Sequence, residues 1–206
     1  MSGTARIQSL SIDPYRFAGH AFTYFPKRFG YDAFSEALLE MKSGIRPDME
    51  SLFVLRALEF IVMNNLQITG IVRALGSREM FDQEDHPIHR VAQKLAEQLG
   101  VPYHHEWLNK PETQKTAKLG SRLNRRRHLE GTYTVSMPGH SDQPSRILVL
   151  DDIVTTKTTA LEIHRAIKSA RPNSECYFFA FAETYYQRAH SSNIAAPFVL
   201  SHRVVA

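Results

Sequence analysis

The chain has 206 residues, 43% apolar and 22% charged, which suffices for an ordinary domain with a real core and is too apolar for a disordered segment. A single cysteine, Cys176, excludes an internal disulfide and fits a reducing compartment, while 25 basic against 21 acidic residues leave a modest +4. Residues 1–9 are polar, and the most apolar window, Leu52 to Met63, is broken by Arg56 and Glu59. Secretion and membrane insertion are therefore poor readings, and a cytoplasmic protein without a membrane partner is expected.

In chain order, Phe34, Ala37, Leu38 and Met41 stripe a helix over Asp32 to Met41, punctuated by Gly44 and Pro47. Asp48 is the expected N-cap of a second helix through Met63, apolar on most sides and hence expected to be buried. Ile68 to Leu75 reads as a strand ending in the turn Gly76-Ser77. Asp85 is the expected N-cap of a third helix, with Pro87 in its first turn, Ile88, Val91, Ala92, Leu95, Ala96 and Leu99 on one face, and Gly100 at its end. Val101 to Leu108 and Gly131 to Met137 read as strands. Ile147 to Leu150 is the continuous apolar run of a central strand. Ala160, Ile163, Ala166, Ile167 and Ala170 stripe the next helix, which Pro172 ends. Glu175 to Ala182 is another apolar strand, with one more over Pro197 to Leu200. Strands alternating with helices imply an α/β fold: a parallel sheet flanked by helices, with ligands at the carboxyl ends of its strands.

Charge is unevenly spread. Lys110, Lys115, Lys118, Arg122, Arg125, Arg126 and Arg127 face only Glu112 across Lys110 to His128. A solvated face, a polyphosphate ligand, or nucleic acid bound through Lys115 to Arg127 each accounts for this.

The stretch ILVLDDIVTTKTT, Ile147 to Thr159, carries the chemistry. A buried strand delivers Asp151 and Asp152 together, and paired carboxylates call for a cation or hydrogen-bond donors. Vicinal ribose hydroxyls supply donors, and Mg²⁺ supplies charge. Thr155, Thr156, Lys157, Thr158 and Thr159 follow where the strand passes into a helix. Backbone amides and four hydroxyls there make a phosphate cradle. Acids for a diol beside a cradle for an anion match a ribose 5-phosphate.

Twelve of the thirteen positions resemble the phosphoribosyl-pyrophosphate (PRPP) motif of the type I phosphoribosyltransferases. The resemblance implies a Rossmann-like parallel sheet with a small hood, the hood over residues 1–66 and the core over 67–206. It implies that Asp151 and Asp152 bind the ribose hydroxyls and Mg²⁺, and that Thr155 to Thr159 bind the 5-phosphate. Lys157 departs from the family's usual glycine; its ammonium could reach the phosphate or crowd the cradle. Ile71 to Arg78 looks like the family's first core strand and pyrophosphate loop, with Leu75, Gly76, Ser77 and Arg78 facing the pyrophosphate. Lys110, Thr113, Gln114, Leu119, Arg125 and Gly131 to Tyr133 are similar to the ComF-like, or amidophosphoribosyltransferase-like, branch. In the family this region closes over PRPP, which makes Lys110, with Lys115 or Lys118, the candidate catalytic cation. The implied activity is phosphoribosyl transfer from PRPP to a nitrogenous acceptor. A catalytically weak PRPP or nucleotide sensor and a ComF-like nucleic-acid-associated protein are the alternatives, and a homodimer is compatible with each. Candidates for the acceptor site are Tyr15, Phe17, Phe22, Tyr24 and Phe25, and Glu183, Tyr185 and Tyr186; as a cluster of aromatics they fit a core equally well. His86, His89, His104 and His105 lack the pattern of a zinc site. Cys176 reads as an inert core thiol.

Overall fold

The computed structural model describes residues 6–30, 32–111, 130–136 and 145–185. In chain order the elements are β1 (Gln8–Ser9), β2 (Phe17–Tyr24), α1 (Ala33–Lys42), α2 (Pro47–Met63), β3 (Gly70–Arg73), α3 (Pro87–Leu99), β4 (Leu108–Asn109), β5 (Thr134–Val135), β6 (Arg146–Val154), α4 (Thr158–Ala170) and β7 (Glu175–Thr184). The main sheet runs β1-β2-β7-β6-β3. Its pairings are parallel except that of β1 with β2. β4 and β5 form a small antiparallel ladder of their own.

The pleat of the central strands sorts the core. Leu148 and Leu150 of β6 and Tyr177, Phe179 and Phe181 of β7 pack with α1, α2 and α3. Ile147 and Val149, with Cys176, Phe178 and Ala180, turn to the other face and pack with α4. A strand covered on both sides has no polar face, which is why these two read as continuous apolar runs. The architecture is the expected α/β one, a mainly parallel sheet between helical layers.

Several boundaries differ from the sequence expectation. The sequence pattern marks no strand at β2, yet it pairs with β7 from Phe17↔Tyr177 to Tyr24↔Thr184, so residues 17–24 extend the central sheet while α1 and α2 lie on its face. α2 opens on Pro47, and Asp48 falls inside its first turn, where the carboxylate takes two hydrogen bonds from Arg46 rather than capping amides. Its outer face is not buried: Leu55, Val62 and Met63 are exposed. α3 is capped by His86, whose Nδ1 accepts from the Ile88 amide at 3.2 Å, not by Asp85. The run 101–108 is not one strand but a bridge from Tyr103 to Ile71 followed by β4. Asp32 does cap α1, accepting from the Ser35 amide, and Gly100 ends α3 at φ 65°. The expected strand over Pro197 to Leu200 lies outside the described residues. Among the described residues no helix is long and apolar enough to cross a membrane.

Candidate functional site

β6 carries its apolar run past Leu150 and reaches Asp151 and Asp152 while still paired with β7, Asp151 opposite Ala180. β3 lies along the other edge of β6. Its exit is pinned there by the Ala74 amide donating to Leu150 O at 2.7 Å. The carboxyl ends of two neighbouring parallel strands thus place the acids beside the turn that follows Arg73. Lys42, Ala74 to Glu79, His86, Ile88, Asp151 and Asp152 line one cavity of about 400 Å³.

The two acids are electrostatically unequal. Burial first, and then the charge of Asp152, push the Asp151 carboxyl well above the usual range. Burial acts against Asp152 as well, but the Lys42 ammonium outweighs it and holds that carboxyl low. Lys42 Nζ lies 2.5 Å from Asp152 Oδ2. The pair therefore joins a carboxyl that holds its proton more tightly, and donates when protonated, to a carboxylate, which can only accept. Each also accepts from the backbone: Asp152 N donates to Asp151 Oδ1 at 2.9 Å, and Ile153 N to Asp152 Oδ1 at 2.6 Å. Lys42 was not foreseen. It ends α1, some 110 residues upstream in the chain, and no local pattern marks it.

The turn after β3 is held from behind. Tyr133 Oη donates to Leu75 O at 3.0 Å, and Lys110 Nζ donates to Ser77 O at 3.2 Å. In a trans peptide C=O and N–H point oppositely, so fixing the Ser77 carbonyl sends the Arg78 amide to the other side. The Gly76 amide does not follow the sequence expectation of facing a ligand. It donates to Glu79 Oε2 at 2.5 Å. Glu79 is itself clamped by Arg73, Nη1 donating to Oε2 at 2.9 Å and Nη2 to Oε1 at 2.5 Å. Burial works against its charge and the guanidinium wins, so Glu79 stays ionised. Arg73 also binds Asp82, which accepts from Tyr103 Oη. Neither Arg73 nor Glu79 could be recognised as structural from sequence, since their pairing depends on the turn closing.

Lys110, the candidate catalytic cation, is buried beneath the turn, its ammonium 5.9 Å from the Tyr133 ring centre, and does not line the cavity. The Thr155–Thr159 segment follows Asp152 directly, but its residues do not line the cavity either. Its hydroxyls pair internally and with the sheet: Thr155 with Thr184 at 2.9 Å, Thr156 with Thr158 at 3.1 Å. Lys157 sits at φ 63°, ψ 0° at the head of α4. That left-handed conformation accounts for a glycine preference at this place. Its ammonium turns away to Ser11 O at 3.0 Å, with Glu183 Oε1 at 3.9 Å.

Of the acceptor candidates, Tyr15 is buried with its hydroxyl on Ala160 O, and Phe22 stacks on Phe34 at 4.1 Å: both are core. Phe25 and Tyr185 meet at 5.0 Å beyond the ends of β2 and β7. Glu183 faces His20 Nε2 at 3.4 Å. His104 stacks on Trp107 at 3.5 Å, and burial pulls it down to about 4. Burial pushes the Cys176 thiol up to about 11. Tyr186 and the basic run Lys115 to Arg127 lie outside the described residues.

No family model matches the chain, and no curated protein matches it. Solved structures match at a distance. Adenine phosphoribosyltransferase from Leishmania tarentolae is 14% identical, over 79% of this chain and 83% of its own, with a TM-score of 0.43. A hypoxanthine phosphoribosyltransferase from Trypanosoma cruzi is 15% identical over 76% and 70%, TM-score 0.38. A purine phosphoribosyltransferase from Pyrococcus horikoshii is 12% identical over 71% and 92%, TM-score 0.35. These structural neighbours are phosphoribosyltransferases; a likeness this remote assigns no activity to the present chain.

Proposed function

We propose that the chain binds PRPP and transfers its 5-phosphoribosyl group to a nitrogenous acceptor, releasing pyrophosphate. The observation that carries this is the meeting of Asp151 and Asp152 with the Leu75–Arg78 turn around one cavity, two segments that the motif resemblance singled out separately. In this reading Asp151 and Asp152 hold the vicinal ribose hydroxyls, one acid donating and one accepting. The turn and Arg78 take the pyrophosphate, and Thr155 to Thr159 take the 5-phosphate at the start of α4.

Asp151 and Asp152 offer the oxygen ligands a hard divalent cation prefers, so the site suits Mg²⁺. Among the described residues no cluster of three or more His, Cys, Asp or Glu side chains could hold a metal. Remaining ligands would come from the substrate and water. Mg²⁺ there would offset charge on the leaving group.

In the reaction the bond from the anomeric carbon to the diphosphate oxygen breaks, and its electron pair leaves with pyrophosphate. The acceptor nitrogen supplies the electron pair of the new bond and gives up its proton to water. The ionised Asp152 faces the positive charge that grows on the sugar, and donors fixed before reaction stabilise the departing anion. Lys110 acts in this scheme by setting the Ser77 peptide, not by touching the substrate.

One observation favours the sensor alternative, binding without turnover: the Gly76 amide is already engaged by Glu79. The ComF-like kinship rests on residues 110–133, mostly beyond the described ones, and stays part of the proposal. The test is pyrophosphate release from PRPP and Mg²⁺ over a panel of purines, pyrimidines and amines. Release that depends on one acceptor class supports transfer; PRPP binding without release across the panel contradicts it.

A further inference from the structure

We propose that Lys42 is the resident counter-cation of Asp152, and that a divalent metal binds Asp152 in competition with it. The inference rests on the reading of the cavity as a diphosphate-sugar site and adds a residue that the motif does not contain.

The geometry is that of competition. Lys42 Nζ is 2.5 Å from Asp152 Oδ2, while Asp152 Oδ1 is taken by the Ile153 amide at 2.6 Å. A metal at Asp152 Oδ2 meets both the bulk of the ammonium and its like charge, so the two compete for that oxygen. The two partners differ in freedom. Asp152 is fixed in β6 with a side chain 13% exposed, whereas the Lys42 side chain is 38% exposed. Its stem has four rotatable carbons, so it can withdraw without moving the backbone. The backbone has reason to stay: Leu38 and Met41, on the last turns of α1, are fully buried, and Asp32 caps the other end. Displacement therefore involves the side chain alone. Lys42 and Leu75 to Arg78 line the same cavity, so a phosphate bound at that turn is within its surroundings. Binding of metal and binding of a phosphate are then coupled through one lysine: the metal frees the ammonium, and the phosphate gives it a new partner.

The competition is tested with metal alone. Mn²⁺ is titrated into the full chain without PRPP, read by the loss of its free-ion paramagnetic resonance signal, for the natural protein, Lys42→Met, and Lys42→Met with Asp152→Asn. Methionine keeps the stem and removes the charge. Lys42→Met is expected to bind Mn²⁺ at least about tenfold tighter than the natural protein, as removal of a cation in contact implies, and the double variant to lose the gain. A lysine that merely supports the fold would weaken metal binding when removed. Equal or weaker binding by Lys42→Met, or a gain that survives Asp152→Asn, would overturn the proposal. The double variant leaves no unpaired carboxylate at Asp152 and guards against misfolding; if Lys42→Met does not fold, Lys42→Gln replaces it with the same expectations. Failure of PRPP to bind any of these proteins, with the Mn²⁺ order intact, would defeat the diphosphate-sugar reading and leave the counter-cation supported.

Discussion

Lys157 shows how one backbone angle decides what a position tolerates. A residue with a Cβ held at φ 63° is strained by about 1–2 kcal/mol relative to glycine. The lysine recovers part of this by tying the head of α4 to Ser11 O. Lys157→Ala keeps the strain and loses the tie; Lys157→Gly loses the tie and the strain. Urea unfolding should therefore find the glycine variant about 1 kcal/mol more stable than the alanine variant, and equal stabilities would refute the strain. Asp151 gives a second test, in pH. Its folded-state carboxyl is raised by burial and by Asp152. Below the ordinary carboxylate range the proton is bound in both folded and unfolded chains. As pH rises through that range the unfolded chain releases it and the native state does not, so native stability falls. Asp151→Asn removes that loss. Its melting temperature relative to the natural protein should be higher at about pH 7 than at about pH 4, and a difference that does not change with pH would contradict the assignment.

Among the elements, β2 and α2 depend on each other through Gly19. A Cβ there would come within 2.8 Å of the Phe60 ring and 3.1 Å of Gln8 O. Phe60 in turn stacks on Phe179 of β7 at 5.2 Å. Gly19→Ala should force α2 off the sheet and cost about 1–3 kcal/mol, lowering the melting temperature; an unchanged transition would mean the helix has room to shift. This contact also explains what the sequence concealed. β2 carries a glycine and a histidine, neither of which signals a strand, and His20 is buried all the same because Nδ1 meets Phe22 O at 2.9 Å. β6, α4 and β7 were legible since their pattern is local: an apolar run, a stripe of helical period, another apolar run. The caps of α2 and α3 fall one or two residues away from the expected ones because residue type alone points to Asp48 and Asp85, whereas Asp48 is engaged by Arg46 and the Ile88 amide is taken by His86.

For the molecule as a whole, the cavity draws on α1, the turn after β3, the start of α3 and the end of β6. Its acids and its turn were readable, each being a short contiguous motif. Lys42 and the Arg73–Glu79 clamp were not, because only the assembled sheet brings them in. The central claim is that the paired acids grip a phosphoribosyl ligand. Calorimetric titration of PRPP with Mg²⁺ into the natural protein and into Asp151→Asn with Asp152→Asn tests it most directly. Loss of one hydrogen bond to a charged carboxylate, at about 1.5–3 kcal/mol, and one to a neutral carboxyl, at about 0.5–1.5 kcal/mol, predicts an affinity at least about 30-fold weaker in a variant that still folds. Undiminished affinity would contradict the account.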